Sequence, residues 1–171
     1  KVDNPMRLLE LDNAQFAYRQ PDDYLDTQGA EIGAVWRWND FKYFFGYTHA
    51  DVEEHNATEV RMAPLMPKDR INNVFVYERE DDFRVGLEAY YYGRQELTDG
   101  SMARDFWIFG LMMEKIFDED FSIFLNFENF SDTRQTRFGS IYTGSKLNPI
   151  FSDIFAPMDG FIINGGIKLQ P

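Results

Sequence analysis

The two histidines of this 171-residue chain fall in one acidic segment, His49-Ala-Asp-Val-Glu-Glu-His55. Imidazole nitrogens and carboxylate oxygens are ligand atoms that divalent metal ions use in proteins. The spacing matches no established ligand pattern, however, and a run of charges is usually a solvated surface. The segment therefore predicts a solvated acidic loop, and we expect no metal site.

A second group of side chains suited to binding occupies the polar stretch that follows "NFENF": Arg134, Arg137, Tyr142 and Lys146. An arginine guanidinium can hold a carboxylate through two hydrogen bonds, so this group predicts contact with an anionic small molecule such as a ferric chelate. The arginines also have acidic neighbours in Asp132 and Asp153. Ion pairs that only stabilise the loop are therefore an open alternative.

Catalytic chemistry has little support in the sequence. Glu128 and Asp132 are the best pair of carboxylates for acid–base work, but no nucleophile or cofactor motif accompanies them. The chain has no cysteine, which excludes disulfides, thiolate metal sites and a cysteine nucleophile. We expect no catalytic residue, no cofactor and no enzymatic activity.

Charge and composition exclude two further classes of protein. The net charge of −12 opposes nucleic-acid binding, which requires a basic face. Nowhere does the chain contain the roughly 18 consecutive apolar residues of a transmembrane helix. Transmembrane strands agree with the sequence, because their apolar residues alternate with polar ones. Aromatic residues make up 17% of the chain, and they favour strands.

The elements that must position these residues are strands, because apolar and polar residues alternate with period two along most of the chain. We predict strands over 29–38, 41–49, 70–79, 83–93, 105–117, 121–128 and 160–170, and a poorly patterned first strand near 7–18. The fold class is therefore all-β, an antiparallel up-and-down meander of seven or eight strands. One face is apolar and aromatic, and the other carries ten polar residues: Glu31, Arg37, Lys42, Arg84, Glu88, Glu114, Asn126, Glu128, Asn164 and Lys168.

The connections between the predicted strands alternate strictly between short and long. Short turns at 39–40, 80–82 and 118–120 alternate with long joins at 19–28, 49–69, 94–104 and 131–159. Outer-membrane barrels have short turns at one rim and long loops at the other, with strands of about 9–11 residues between aromatic girdles. This arrangement predicts a transmembrane meander whose polar face lines a lumen. A soluble barrel or sandwich with its apolar face inward is the alternative.

Several segments resemble the barrel of TonB-dependent outer-membrane receptors. The closing hairpin of that family is similar to this chain at Asn126, Glu128, Asn129, Asp132 and Arg134, and then at Ala156, Pro157, Asp159, Gly160, Gly165 and Gly166. The upstream segments "GAEIGAVWRWNDFKYFFGYTHAD", "APLMPKDRINNVFVYE" and "LEAYYYGRQ" resemble strands of the same barrels. The resemblance covers about Gly29 to Leu169 and is most specific in the C-terminal third.

The resemblance implies a barrel of about 22 strands closed around an N-terminal plug domain. Residues 1–171 would be its C-terminal segment, with the plug and the earlier strands absent. It further implies an active transporter in the outer membrane of a Gram-negative bacterium, made as a precursor with a signal peptide. Such a transporter takes up a scarce, bulky nutrient such as a metal chelate, cobalamin or an oligomeric nutrient. Its partners would be outer-membrane lipid, the remaining strands and plug, TonB acting on the plug, and the ligand.

Two other functions stay open at the level of the sequence. An open sheet cannot sit in a membrane alone, because its edges expose unpaired backbone groups. Eight strands can close on themselves, so a structural or adhesive eight-stranded barrel is one alternative. A soluble β-barrel that binds a small ligand is the other.

Overall fold

The computed structural model describes residues 1–11, 15–20 and 22–169 of the chain. Apart from one short helix, its regular elements are β-strands. In chain order they are β1 Val2–Asp3, β2 Arg7–Leu11, β3 Gln15–Arg19, β4 Tyr24–Trp38, β5 Phe41–His55, β6 Val60–Met62, β7 Asp69–Arg79, β8 Phe83–Tyr92, β9 Phe106–Asp118, β10 Phe121–Glu128, α1 Gln135–Phe138, β11 Tyr142–Ser145, β12 Asn148–Phe151 and β13 Ile162–Leu169.

Seven long strands form the main sheet in the order β4-β5-β7-β8-β9-β10-β13, and each pairs antiparallel with its neighbours. The short strand β1 adds to the edge of β4, and β6 adds to β5 beside β7. The predicted all-β, antiparallel up-and-down meander is confirmed. Period-two alternation was enough to predict it, because each strand in an antiparallel meander presents one face to each side.

The three short turns lie at one end of the main sheet, and the long connections lie at the other. Asn39 (φ 50°) and Asp81 (φ 56°) take the left-handed backbone conformation that their turns need, and Asn and Asp tolerate it better than most residues. We call these two ends the short-turn end and the long-loop end.

The strands β4 and β5 are longer than the sequence pattern indicates. β4 begins at Tyr24 and β5 ends at His55, with Tyr24 paired to His55 at the far end of the hairpin. The predicted joins at 19–28 and 49–69 were therefore too long. Charged residues interrupt both faces of this extension, so alternation of apolar and polar residues could not reveal it.

The N-terminal residues contribute little to the main sheet. In place of the single strand predicted near 7–18, β2 and β3 pair only with each other in a separate hairpin. Residues 12–14 of that prediction lie outside the described part of the chain. The expectation of a first long strand was wrong, because this segment has no continuous period-two pattern.

The last long loop contains structure that the sequence did not indicate. Between β10 and β13 the chain forms the one-turn helix α1 and the hairpin β11–β12. Within the described residues, no helix is long and apolar enough to cross a membrane.

The main sheet lacks a core of the kind that a globular domain has. The buried apolar side chains of the described residues are few and mostly small: Val52, Ala63, Ala103, Phe106 and Ala156. On the apolar face, Trp36 is 56% exposed, Trp38 72% and Ile163 56%. Soluble monomers rarely expose an apolar surface of this extent, so the sheet must be covered by something outside this chain.

Candidate functional site

The strand register places all ten predicted polar residues on one face of the main sheet, which we call the polar face. Cross-strand partners show this directly: Arg37 faces Lys42, Arg84 faces Glu114, and Asn126 faces Asn164. The remaining members of the set, Glu31, Glu88, Glu128 and Lys168, lie at even spacing from these on their own strands. One surface thus carries all ten polar residues. The opposite surface is mostly apolar, with Asn73 and Lys115 as polar exceptions.

Near the short-turn end, five charged residues of the polar face form an ion-pair belt: Lys42, Glu78, Arg84, Glu114 and Lys168. Lys42 Nζ lies 2.5 Å from Glu78, and Arg84 Nε donates to Glu78 at 3.0 Å. Arg84 also lies 3.6 Å from Glu114, to which Lys168 donates at 2.7 Å. The belt connects β5, β7, β8, β9 and β13 through alternating charges.

Glu78 is a member of this belt that the sequence analysis missed. No faces were assigned within the segment 70–79, so Glu78 was not recognised as a polar-face residue. The tight turn at 80–82 provides the missing signal, because it pairs Glu78 with Arg84 across the hairpin. Ser122, which donates to Glu114 at 2.9 Å, was missed because it carries no charge.

Midway along the polar face lies a depression of about 400 Å³, lined by Glu88, Tyr90, Asn126 and Glu128 among others. Gly110 forms its floor, and a Cβ atom there would lie 3.2 Å from Glu88 Oε2. Asn164 donates to Glu128 at 2.5 Å and accepts from Asn126 at 3.0 Å. None of the residues lining the depression is basic. It can therefore accept hydrogen bonds or positive charge from a group that contacts the polar face.

At the long-loop end, the polar face ends in a rim pocket of about 290 Å³, whose lining includes Arg70, Tyr92, Phe106 and Phe155. The Arg70 guanidinium lies 5.8 Å from the centre of the Tyr92 ring, and Tyr92 stacks on Phe106 at 5.1 Å. A cationic side chain beside aromatic rings in a concave surface is suited to binding a small molecule. None of these four residues was predicted as a site residue, because their proximity depends on the register of β7, β8 and β9.

Two buried glutamines hold the long loops together above this pocket. The side chain of Gln135 accepts from the amides of Phe155 and Ala156, both at 3.1 Å, and donates to the Asp153 carbonyl at 3.2 Å. Gln95 donates to the Phe155 carbonyl at 3.4 Å. Both glutamines are only 3% exposed. The loops therefore form one connected unit rather than separate mobile segments.

The predicted anion-binding group is divided between two parts of the last loop. Arg137 donates to Asp132 at 2.6 Å, and Arg134 lies 3.4 Å from the same carboxylate. Tyr142 begins β11, and Lys146 follows β11 at the tip of the hairpin. The arginines thus form the loop-stabilising ion pairs that the sequence left open as the alternative.

Asp132 is the common partner of these two arginines at the base of the last loop. Burial favours a raised pKa, but the hydrogen bond from the Phe161 amide and the charges of Arg134 and Arg137 outweigh it and lower the pKa of Asp132. Its Oδ1 accepts from the Phe161 amide at 3.2 Å. A Cβ atom at Gly160 would lie 2.0 Å from Asp132 Oδ1, which explains why this position requires glycine.

The acidic segment with the two histidines lies in β5 and not in a loop, so its predicted placement was wrong. His49 Nδ1 lies 2.8 Å from Asp69, and its Nε2 lies 3.4 Å from Asp51, which also pairs with Lys68. His55 stacks on Tyr24 with ring centres 4.4 Å apart. Among the residues that the structure describes, no three His, Cys, Asp or Glu side chains are grouped so that they could hold a metal ion.

The arrangement of strands is shared with known outer-membrane proteins. No protein-family model matches the sequence, and no curated protein matches it. Among solved structures, the pyoverdine outer membrane receptor FpvA from Pseudomonas aeruginosa PAO1 matches 99% of this chain with 16% identity and a TM-score of 0.61. The ferric-catecholate import receptor Fiu from Escherichia coli K12 matches 97% of it with 15% identity and a TM-score of 0.61.

These similarities define the fold of the chain. It has the fold of one part of the barrel of these two receptors. The chain spans 26% of the length of FpvA and 23% of the length of Fiu, about a quarter of each.

Proposed function

We propose that this chain is the C-terminal part of the barrel of a TonB-dependent transporter that takes up a scarce, bulky nutrient across the outer membrane of a Gram-negative bacterium. The observation that carries the proposal is the match of nearly the whole chain to one part of two receptor barrels. The chain itself would have no enzymatic activity, and its precursor would carry a signal peptide. The nutrient would be a metal chelate, cobalamin or an oligomeric nutrient.

The two faces of the main sheet support placement in a membrane wall. The apolar face leaves large side chains such as Trp36, Trp38 and Ile163 uncovered, and lipid chains would cover them. The polar face would line the lumen, where its depression over Gly110 and its rim pocket offer charge and hydrogen bonds to the plug and the ligand. Energy would reach the site through TonB acting on the plug.

The number of strands counts against a barrel that this chain closes on itself. The two outermost long strands, β4 and β13, run in the same direction, because seven long antiparallel strands separate the two sides of the sheet. The two-residue strand β1 pairs with β4 only at Tyr24 and Leu25 and is too short to continue the wall. Closure between β4 and β13 would require parallel pairing, whereas bacterial barrels made from one chain have an even number of antiparallel strands. An odd number of additional strands restores antiparallel pairing at both edges. The remaining strands of a larger receptor meet this requirement.

A soluble β-barrel is also disfavoured by burial. In a soluble barrel with its apolar face inward, the large apolar side chains would pack against each other as a core. The described residues contain no large side chain that is fully buried.

Energy-coupled uptake by the full-length receptor tests the proposal. Cells that depend on this receptor should accumulate the nutrient only when TonB and the proton gradient are intact. Uptake should stop in a TonB-deficient strain, while the amount of receptor in the outer membrane stays unchanged. Uptake that continues without TonB would refute active transport, and recovery of the folded receptor from the soluble fraction would refute the membrane location.

A further inference from the structure

A cleft of about 490 Å³ separates the hairpin β11–β12 from the loop between β8 and β9. Three phenylalanines and two carboxylates contribute to its lining: Phe138, Phe151, Phe155, Asp99 and Asp153. Its volume falls within the range of small-molecule sites. The cleft lies among the long loops, away from the ion-pair belt and from the depression over Gly110.

Hydrogen bonds within the loops fix the two carboxylates in place. Asp153 Oδ2 accepts from the amide of Thr98 at 2.6 Å and from its hydroxyl at 2.8 Å, which joins the last loop to the preceding one. Asp99 Oδ1 accepts from the amide of Ser101 at 2.9 Å. In the described part of the chain, these bonds engage one oxygen of each carboxylate, so both groups retain capacity for a ligand.

The aromatic side chains supply an apolar wall beside the carboxylates. The rings of Phe138 and Phe155 pack on each other with centres 5.5 Å apart. Phe151 is 73% exposed, although a side chain of this size gains from being covered. The hairpin thus presents the exposed Phe151 ring in the same cleft as the carboxylates of Asp99 and Asp153.

All the charged residues that line the cleft are acidic. None of the residues lining it is Lys, Arg or His, and the arginines at the base of the loop are paired with Asp132. Hydrogen bonds from Ser101 lower the pKa of Asp99, so its carboxylate is ionised at neutral pH. Two carboxylates repel an anion, while the faces of aromatic rings attract a cation.

We propose that this cleft binds a small-molecule cation, an ammonium or guanidinium group attached to an apolar body. The carboxylates of Asp99 and Asp153 contact the charge, and the ring of Phe151 covers the apolar part. The neighbouring rim pocket carries Arg70 and shares Phe155 with the cleft, so adjacent sites have opposite charge. Binding in the cleft depends only on the loops; the step from binding to uptake rests on the proposed transport function.

The test uses the detergent-solubilised full-length protein and three probes of similar size. Phenethylammonium is the cation, 2-phenylethanol the neutral probe and phenylacetate the anion, and binding is measured by saturation-transfer NMR. We expect phenethylammonium to bind at least about fivefold more tightly than 2-phenylethanol, as a surface charge interaction allows. Phenylacetate should show no binding at this cleft. Equal binding of all three probes would overturn the proposal.

Three variants locate the site. Asp99→Asn should remove most of the preference for the cation, and Phe151→Leu should weaken both the cation and the neutral probe about threefold. Asp159→Asn changes an exposed carboxylate of the same loop outside the cleft and should leave all three affinities unchanged. A preference for the cation that survives in Asp99→Asn, or that Asp159→Asn removes equally, would place the site elsewhere and overturn the proposal.

Ionic strength provides a measurement that needs no variant. Raising salt from low to high concentration should reduce the preference for phenethylammonium, because screening weakens exposed charge interactions. A preference that is independent of salt would contradict the carboxylate contacts.

Because binding is measured on purified protein, cation binding without TonB-dependent uptake would refute the transport proposal alone. Uptake without cation binding would refute this proposal alone.

Discussion

At the scale of single residues, the base of the last loop depends on the contact between Asp132 and Gly160. We predict that Gly160→Ala displaces Asp132, because the added Cβ would lie 2.0 Å from its Oδ1. The loop should then open, and trypsin should cleave after Arg134 and Arg137 several times faster. Gly139→Ala is the matched control, since its Cβ would meet nothing within 4 Å. Equal cleavage of the two variants would contradict the role of Asp132.

The Asp132 carboxylate also makes the stability of the last loop depend on pH. Since the pKa of Asp132 is lowered in the folded protein, its stabilising contacts are present above the unfolded value and are lost as pH falls through the folded value. We expect acid-stable proteases to cut the loop progressively faster below about pH 4. In Asp132→Asn this change with pH should be reduced, and an unchanged profile would refute the assignment.

At the scale of elements, the alternating sequence was sufficient to predict the seven long strands, their order and their two faces. Each of these features depends on a period of two, which the sequence displays directly. The extension of β4 and β5 was not predictable in this way, because charged residues occupy both of its faces. The hydrogen bonds by which Gln95 and Gln135 join the long loops were also not predictable from the sequence. A side-chain bond to a distant backbone has no periodic signature, and a glutamine in a loop is usually solvated.

The ion-pair belt should stabilise the strands that it connects. Glu114 is 7% exposed and contacts Lys168, Arg84 and Ser122. We expect Glu114→Ala to lower the free energy of unfolding by about 1–3 kcal/mol, since it removes hydrogen bonds to a charged group. Urea denaturation followed by gel mobility measures the loss. Glu119→Ala removes the same charge from an exposed turn and should change stability by less than about 0.5 kcal/mol.

The hairpin β11–β12 is the part of the last loop that can be removed without opening the sheet. Among the described strands it pairs with no other, and residues such as Leu147 and Phe151 are 99% and 73% exposed. Replacing Tyr142–Phe151 by a short Gly-Ser linker should therefore reduce ligand binding while the barrel still assembles. Heat-modifiable gel mobility reports assembly, and uptake reports function. Unchanged uptake in an assembled variant would exclude the hairpin from the ligand site.

At the scale of the whole molecule, three features of the main sheet agree with the proposal that it is part of a larger closed barrel. Its apolar face is uncovered, its two outermost long strands run in the same direction, and its polar face carries charges that need water or another domain. Each feature would be costly in an isolated soluble sheet. All three are expected of strands completed by the rest of a receptor barrel around a plug.

The proposed function places one face of this sheet against lipid and the other toward the lumen. This chain has no cysteine. Once any cysteine elsewhere in the full-length protein has been replaced, single cysteines at successive positions of β8 and β10 can carry spin labels in a bilayer. We predict that accessibility to oxygen alternates with period two and is highest at the apolar-face residues Leu87 and Leu125. Labels at Glu88 and Asn126 should instead be shielded from the lipid phase. Accessibility without alternation, or with its maxima at Glu88 and Asn126, would contradict the proposed placement of the two faces.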